Sequence, residues 1–203
     1  MSSSDAPYIL RLQAGDLDAL GELFDRYRLV VYHTALAITR DPDVADDILQ
    51  DAFLRLHTYA ASVKPELPLA PWLYRVTINL TYTWFSRCRR SARGGRESRR
   101  RWLAPLDEFL EKLIGPARQH PEPAAEQRDT HEAMQHAIDT LPFNQRVVII
   151  LHYLNDLSLQ EIAEIMKCPV GTVKSRLYYA RESLRQKLEG SAFSPEVAYE
   201  FTR

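Results

Sequence analysis

Thr172, Lys174, Ser175, Arg176, Tyr178, Tyr179 and Arg181 recur at spacings that set them, with Arg185, opposite Val173, Leu177, Ala180, Leu184 and Leu188 on one helix. Lysine and arginine neutralise phosphates or bond guanine edges, and serine or threonine can approach either, so this face suits the major groove of duplex DNA. The first residues of such a helix reach deepest. What positions the face lies just upstream, in LSLQEIAEIMKCPVGTVKSRL, which reads as helix, tight turn, helix. Ser158 and Glu161 have capping-box spacing. Leu159, Ile162, Ala163 and Met166 form the expected buried stripe, Pro169 pre-sets the second helix, and Gly171 is expected to permit close helix approach. A basic helix alone is more often a solvated bundle face. The complete motif is what points to DNA.

The rest of the chain reads as helical on both sides of a break. Leu17, Leu20, Leu23, Phe24, Tyr27, Val30, Val31 and Thr34 recur every three or four residues, and Asp41-Pro42 interrupts them. A further helix carries Ala45, Ile48, Leu49, Ala52, Phe53 and Leu56 on one side, with Asp47, Gln50 and Asp51 on the other. A third is expected to start at Pro71, after a proline-rich stretch, and to run through PWLYRVTINLTYTWFSRCRR. Strand alternation and internal repeats are absent. SARGGRESRRR then reads as a hydrated linker start, with arginines at 93, 96, 99, 100 and 101. Residues 106–114, through Leu106, Phe109, Leu110 and Leu113, are a short amphipathic helix candidate.

The formal net charge of -1 conceals a division along the chain. Residues 1–70 carry 6 basic and 11 acidic side chains, residues 71–104 carry 9 and 1, residues 105–169 carry 5 and 11, and residues 170–203 carry 6 and 4. Two basic zones in an acidic chain indicate polyanion contacts that the total hides. No run reaches the roughly 18 apolar residues of a membrane span. The first residues lack a signal-peptide pattern, so no membrane insertion and a cytoplasmic location are expected. Cys88 and Cys168 are far apart without metal-ligand spacing, so neither a disulfide nor a metal is expected.

At Leu141–Leu184 the resemblance to a family becomes specific. A Leu-Pro-x-x-Gln-Arg opening, then Gly-Thr-Val-Lys-Ser-Arg-Leu and Ala-Arg-x-x-Leu, resembles region four of the extracytoplasmic-function (ECF) sigma factors of bacterial RNA polymerase. That resemblance implies docking on the polymerase flap and reading of the minus-thirty-five element. Lys174, Ser175, Tyr178 and Tyr179 then occupy base-facing positions, and Arg176 and Arg181 phosphate-contacting ones. Tyr179 stands where the family commonly has a basic residue. DPDVADDILQDAFLRLHTY resembles sigma region two, which implies that Asp47, Gln50 and Asp51 face a basic coiled coil of the polymerase's largest subunit. Trp72-Leu73-Tyr74-Arg75-Val76 with Asn79 resembles the promoter-melting helix. Single-stranded DNA needs stacking surfaces and backbone cations, and Lys64, Trp72, Arg75, Asn79, Arg87, Arg89 and Arg90 are the candidates. Trp72 has a second reading as a core anchor. Two departures stand out: the loop VKPELPLAP holds three prolines where the family often has a small segment that accepts a flipped base, and Tyr82, Trp84 and Phe85 replace polar and basic residues.

The expected architecture is all-α, with two small helical domains joined by a flexible linker: 1–92 as region two, 93–130 as linker, 131–190 as the region-four helix-turn-helix, and 191–203 as tail. The resemblance implies a sigma factor that directs core polymerase to promoters and melts them. Its partners would be core RNA polymerase and promoter DNA, duplex and single-stranded, and it admits an anti-sigma factor. No cofactor and no enzymatic activity are expected. A transcription regulator with the same helix-turn-helix leaves residues 41–90 without a use. A metal-dependent nuclease needs a second converging acidic motif that the chain lacks.

Overall fold

The computed structural model describes residues 4–91 and 134–189, with side chains for 4–88 and 134–187. The described residues are helical, as expected, and the chain separates into two compact units, Met1–Arg101 and Trp102–Arg203. The linker arginines, the segment 106–114 and the tail lie outside the described residues. No described helix is long and apolar enough to cross a membrane.

The first unit holds α1 (Ala6–Gln13), α2 (Leu17–Thr39), α3 (Pro42–Thr58), a 3-10 turn at Ala60–Ser62 and α4 (Leu69–Ser91). Gly15, at φ 91°, turns the chain between α1 and α2, in a region where a side chain would be strained. Asp16 caps α2 by accepting from the Asp18 N–H at 2.9 Å. The break expected at Asp41-Pro42 is real: Asp41 accepts from the N–H groups of Asp43 and Val44, and Pro42 opens α3 where no N–H is needed. α2 packs against α1, α3 and α4. Its end is buried all round from Thr34 to Thr39, where Ala35 and Ala37 admit close neighbours. Phe24 and Phe53 meet edge to face across α2 and α3, with centroids 4.9 Å apart. Buried Thr34, Thr39, Thr77 and Thr81 direct their hydroxyls to carbonyls of their own helices, which leaves no cost for hiding them. α4 begins at Leu69, two residues before the expected start, because Pro71 is still within the first turn, where its missing N–H costs nothing.

The second unit holds α5 (described over 134–139), α6 (Phe143–Tyr153), α7 (Leu159–Met166) and α8 (Val170–Glu189). Arg146 to Leu151 of α6 are all buried, and α7 and α8 pack on it. The buried Arg146 guanidinium donates to the carbonyls of Asp139 and Leu141, which closes the end of α5. The Ser158–Glu161 capping box is present in both directions. The Ser158 hydroxyl and N–H together hold the Glu161 carboxyl below its ordinary range.

Two local expectations are corrected. On α7, Ile162, Ala163 and Ile165 are buried, whereas Leu159 and Met166 are only half-buried. Gly171 does not serve close helix approach: a Cβ there would meet no atom within 4 Å. The sharp turn is made by Lys167, which takes the left-handed conformation at the end of α7 (φ 49°). The carbonyl of Pro169 then accepts from the Thr172 and Val173 N–H groups at the start of α8.

Candidate nucleic-acid and partner interfaces

α8 is amphipathic in the register read from the sequence. Val173, Leu177, Ala180 and Leu184 are buried, while Leu188 falls outside the described side chains. Lys174, Ser175, Tyr178 and Tyr179 are exposed on the other side, the two tyrosines at 64% and 60%. Their rings meet edge to face at 5.4 Å, so they offer one joint aromatic surface. Thr172 and Arg176 form one half-buried flank, with Arg176 Nη1 3.7 Å from Cys168 Sγ. Arg181 is on the other flank, its guanidinium 5.6 Å above the Tyr153 ring. Glu182 lies on the outer face, a residue the sequence reading passed over. Arg185 binds it through two nitrogens, at 2.7 and 3.1 Å, and Gln186 donates to it at 2.8 Å. These contacts, Arg185 first, hold the Glu182 carboxyl below its ordinary range. Arg185 therefore offsets an acid on the same face.

In the first unit, Asp47, Gln50 and Asp51 are exposed on α3, opposite buried Ala45, Ile48, Ala52, Phe53 and Leu56. Among the described residues neither Asp47 nor Asp51 forms an ion pair. Leu54, at 63% exposure, follows Asp47, Gln50 and Asp51 by seven, four and three residues and so sits on the same face. The sequence reading missed it. A leucine outside the apolar stripe was the available signal.

On α4, Trp72, Arg75, Asn79 and Tyr82 follow one another at three- and four-residue steps on one side. Trp72 and Arg75 are half-buried; Asn79 and Tyr82 are exposed. The three unusual aromatics separate: Tyr82 faces outward, whereas Trp84 and Phe85 are half-buried and meet each other at 4.9 Å. Arg87 is exposed, and the side chains of Arg89 and Arg90 lie outside the described set. Lys64 is exposed in the loop before α4. Cys88 and Cys168 are both free thiols. No cluster of three His, Cys, Asp or Glu suited to a metal occurs among the described residues.

Asp5 is a further residue the sequence reading missed. Its side chain, 7% exposed, accepts from Arg26 at 2.9 Å, from the Tyr27 hydroxyl at 2.7 Å and from the Leu69 N–H at 3.2 Å. Burial, followed by this hydrogen bond to Asp5, pushes the Tyr27 phenol well above its ordinary range.

Comparisons with known proteins place both units in one family. Residues 23–91 match the family described as Sigma-70 region 2, and residues 131–184 match Sigma-70, region 4. The chain is 31% identical over 188 residues to the ECF RNA polymerase sigma factor SigW of Bacillus subtilis (strain 168), covering 89% of this chain and 94% of the relative. It is also 31% identical over 191 residues to the ECF RNA polymerase sigma-E factor of Escherichia coli (strain K12), covering 92% and 95%. A solved structure of CnrH in complex with the cytosolic domain of CnrY shares the fold, with a TM-score of 0.65 at 20% identity over 94% of this chain and 100% of that one. The sigma factor RpoE of Bartonella quintana, solved with the anti-sigma factor NepR, gives a TM-score of 0.60 at 22% identity over 83% and 96%. A non-enzymatic subunit that lends RNA polymerase its promoter specificity, this chain belongs to the ECF family of sigma factors.

Proposed function

We propose that Asp47, Gln50 and Asp51, joined by Leu54, bind a basic surface of the largest subunit of core polymerase. The outer side of α4, with Trp72, Arg75, Asn79 and Arg87 and with Lys64 ahead of it, takes the single-stranded minus-ten DNA, together with Arg89 and Arg90 of the same helix. α8 enters the major groove of the minus-thirty-five element, with Lys174, Ser175, Tyr178 and Tyr179 toward the bases. Thr172, Arg176 and Arg181 serve the phosphates from its flanks. Residues 1–92 and 131–190 act as two DNA-contacting domains, 93–130 as their linker and 191–203 as tail. The observation that carries this reading is that the exposed faces of α3 and α8 present to solvent the charges and aromatic rings that their cores do not use. An anti-sigma factor is a further partner, and the site of action is the cytoplasm, where polymerase and promoters meet.

Transcription by the reconstituted holoenzyme tests the assignment. Lys174→Ala and Ser175→Ala are each expected to lower transcription that depends on the minus-thirty-five element by about tenfold, since one good base contact contributes about 1–3 kcal/mol. Equal output from the variants on such promoters would remove α8 from base reading.

A further inference from the structure

The segment between α3 and α4 is held at both ends by the short helix α1. Gln13, the last residue of α1, donates through Nε2 to the carbonyls of Ala60 at 3.0 Å and Val63 at 2.8 Å. Asp5, at the other end, occupies the N-cap position of α1 without capping it. Its carboxylate turns to the first N–H of α4, at Leu69, while Arg26 and Tyr27 fix it from α2. These bonds span 47, 50 and 64 residues of sequence. The docking of α1 rests on other side chains, the buried Ile9 and Leu12.

Between the two anchors the loop is stiff. Pro65 and Pro68 fix their φ angles, and the Leu67 N–H returns to the Lys64 carbonyl at 3.2 Å, a turn with proline in its second place. The result is a braced turn whose first and last residues, Lys64 and Leu67, are both exposed, Leu67 at 58%. A cation beside an apolar surface, adjoining the outer side of α4, suits one phosphate and the face of one unstacked base.

We propose that Gln13 and Asp5 are positioning residues for promoter melting: through them α1 holds Ala60–Leu69 in the shape that offers Lys64 and Leu67 to the single-stranded minus-ten DNA. The inference rests on the reading of Lys64 and α4 as the strand-binding surface. A loop ordered in advance does not lose conformational freedom when the strand binds, so the anchors contribute to capture without touching DNA.

Gln13→Glu is the informative variant, because it keeps the size and helix preference of an exposed side chain but aims an anion at two carbonyl oxygens. The readout is holoenzyme affinity for a single-stranded minus-ten oligonucleotide. A weakening of about fivefold is expected at alkaline pH, the equivalent of one net hydrogen bond. The deficit should shrink as the pH falls, since the introduced carboxyl, facing two carbonyls, holds its proton more tightly and donates once protonated. It should also shrink on an oligonucleotide made abasic at the position the loop holds, where only the phosphate contact of Lys64 remains, while core affinity stays unchanged. Wild-type affinity, or a loss that ignores both pH and the abasic site, would overturn the proposal. Leu67→Ser and Lys64→Ala separate the two levels of the argument. If both bind the strand normally, the loop is no DNA surface and the underlying reading falls. If they weaken binding and Gln13→Glu does not, only the role of α1 falls.

Discussion

Leu54→Ala should cost the holoenzyme affinity and leave the free protein's stability untouched. Complete burial of a leucine side chain contributes about 1.5–3 kcal/mol. With 63% of Leu54 still open in the free chain, covering it against core polymerase should contribute about 1–2 kcal/mol. That converts to about a five- to thirtyfold change in the dissociation constant. The folded chain loses almost nothing in exchange, because Leu54 is outside the stripe that buries Ile48, Ala52, Phe53 and Leu56, and alanine is the better helix former. Competition between labelled and unlabelled sigma for core gives the affinity, and thermal melting followed by circular dichroism gives the stability. Asp51→Arg on the same face should lose affinity through charge, with a dependence on salt that Leu54→Ala lacks, because exposed ion pairs are screened and apolar contacts are not. Unchanged core affinity for Leu54→Ala would refute the placement of the polymerase face. So would a fall in melting temperature that accounts for the whole loss.

The remaining predictions concern the second unit. Gly171→Ala should raise its stability by about 0.5 kcal/mol in denaturant melts, since the added Cβ meets no atom of the fold and alanine prefers the helix; a decrease would show that the glycine is required by packing after all. Ser158→Ala should lower stability by about 1 kcal/mol through loss of the capping box. Glu161 gives that box a pH signature: its folded-state carboxyl is held below the ordinary range, so its contribution is complete above that range and is lost as the pH falls through the lowered value. Melts at neutral and acid pH should therefore show the gap between wild type and Ser158→Ala closing on acidification. A gap independent of pH would mean that the hydroxyl caps without the carboxylate.

The exposed faces proposed to meet partners were legible in the sequence because they are local. Lys174, Ser175, Tyr178 and Tyr179 alternate with Val173, Leu177 and Ala180 within three turns, so helical periodicity alone assigns them to opposite sides. Ser158 and Glu161 are three residues apart, and the capping box they form needs nothing beyond the turn it closes. The same locality explains the errors. Gly171 looks by type like a residue that lets two helices approach closely, but no atom of the fold comes within 4 Å of where its Cβ would stand, because that distance is set by how α7 and α8 pack rather than by composition. Ile165 replaced Leu159 and Met166 in the core because an eight-residue helix can turn slightly without disturbing its caps.

What could not be read is the set of residues that act at long sequence separation. Asp5 occupies the N-cap position of α1, ahead of Pro7 in the first turn, but does not cap that helix. The structure gives its carboxylate to Arg26, Tyr27 and Leu69 instead. The start of α1 has another acceptor, since the Ala6 N–H donates to Ser4 Oγ at 3.3 Å. The Leu69 N–H is buried and has no such recourse, so leaving it unbonded would cost about 1–3 kcal/mol. The buried donor therefore takes the acceptor, and a residue 64 positions away ends up fixing where α4 begins. A periodicity argument sees faces and ends of helices. It cannot see which of two ends a carboxylate serves, because that is decided by desolvation, which exists only once the chain has folded.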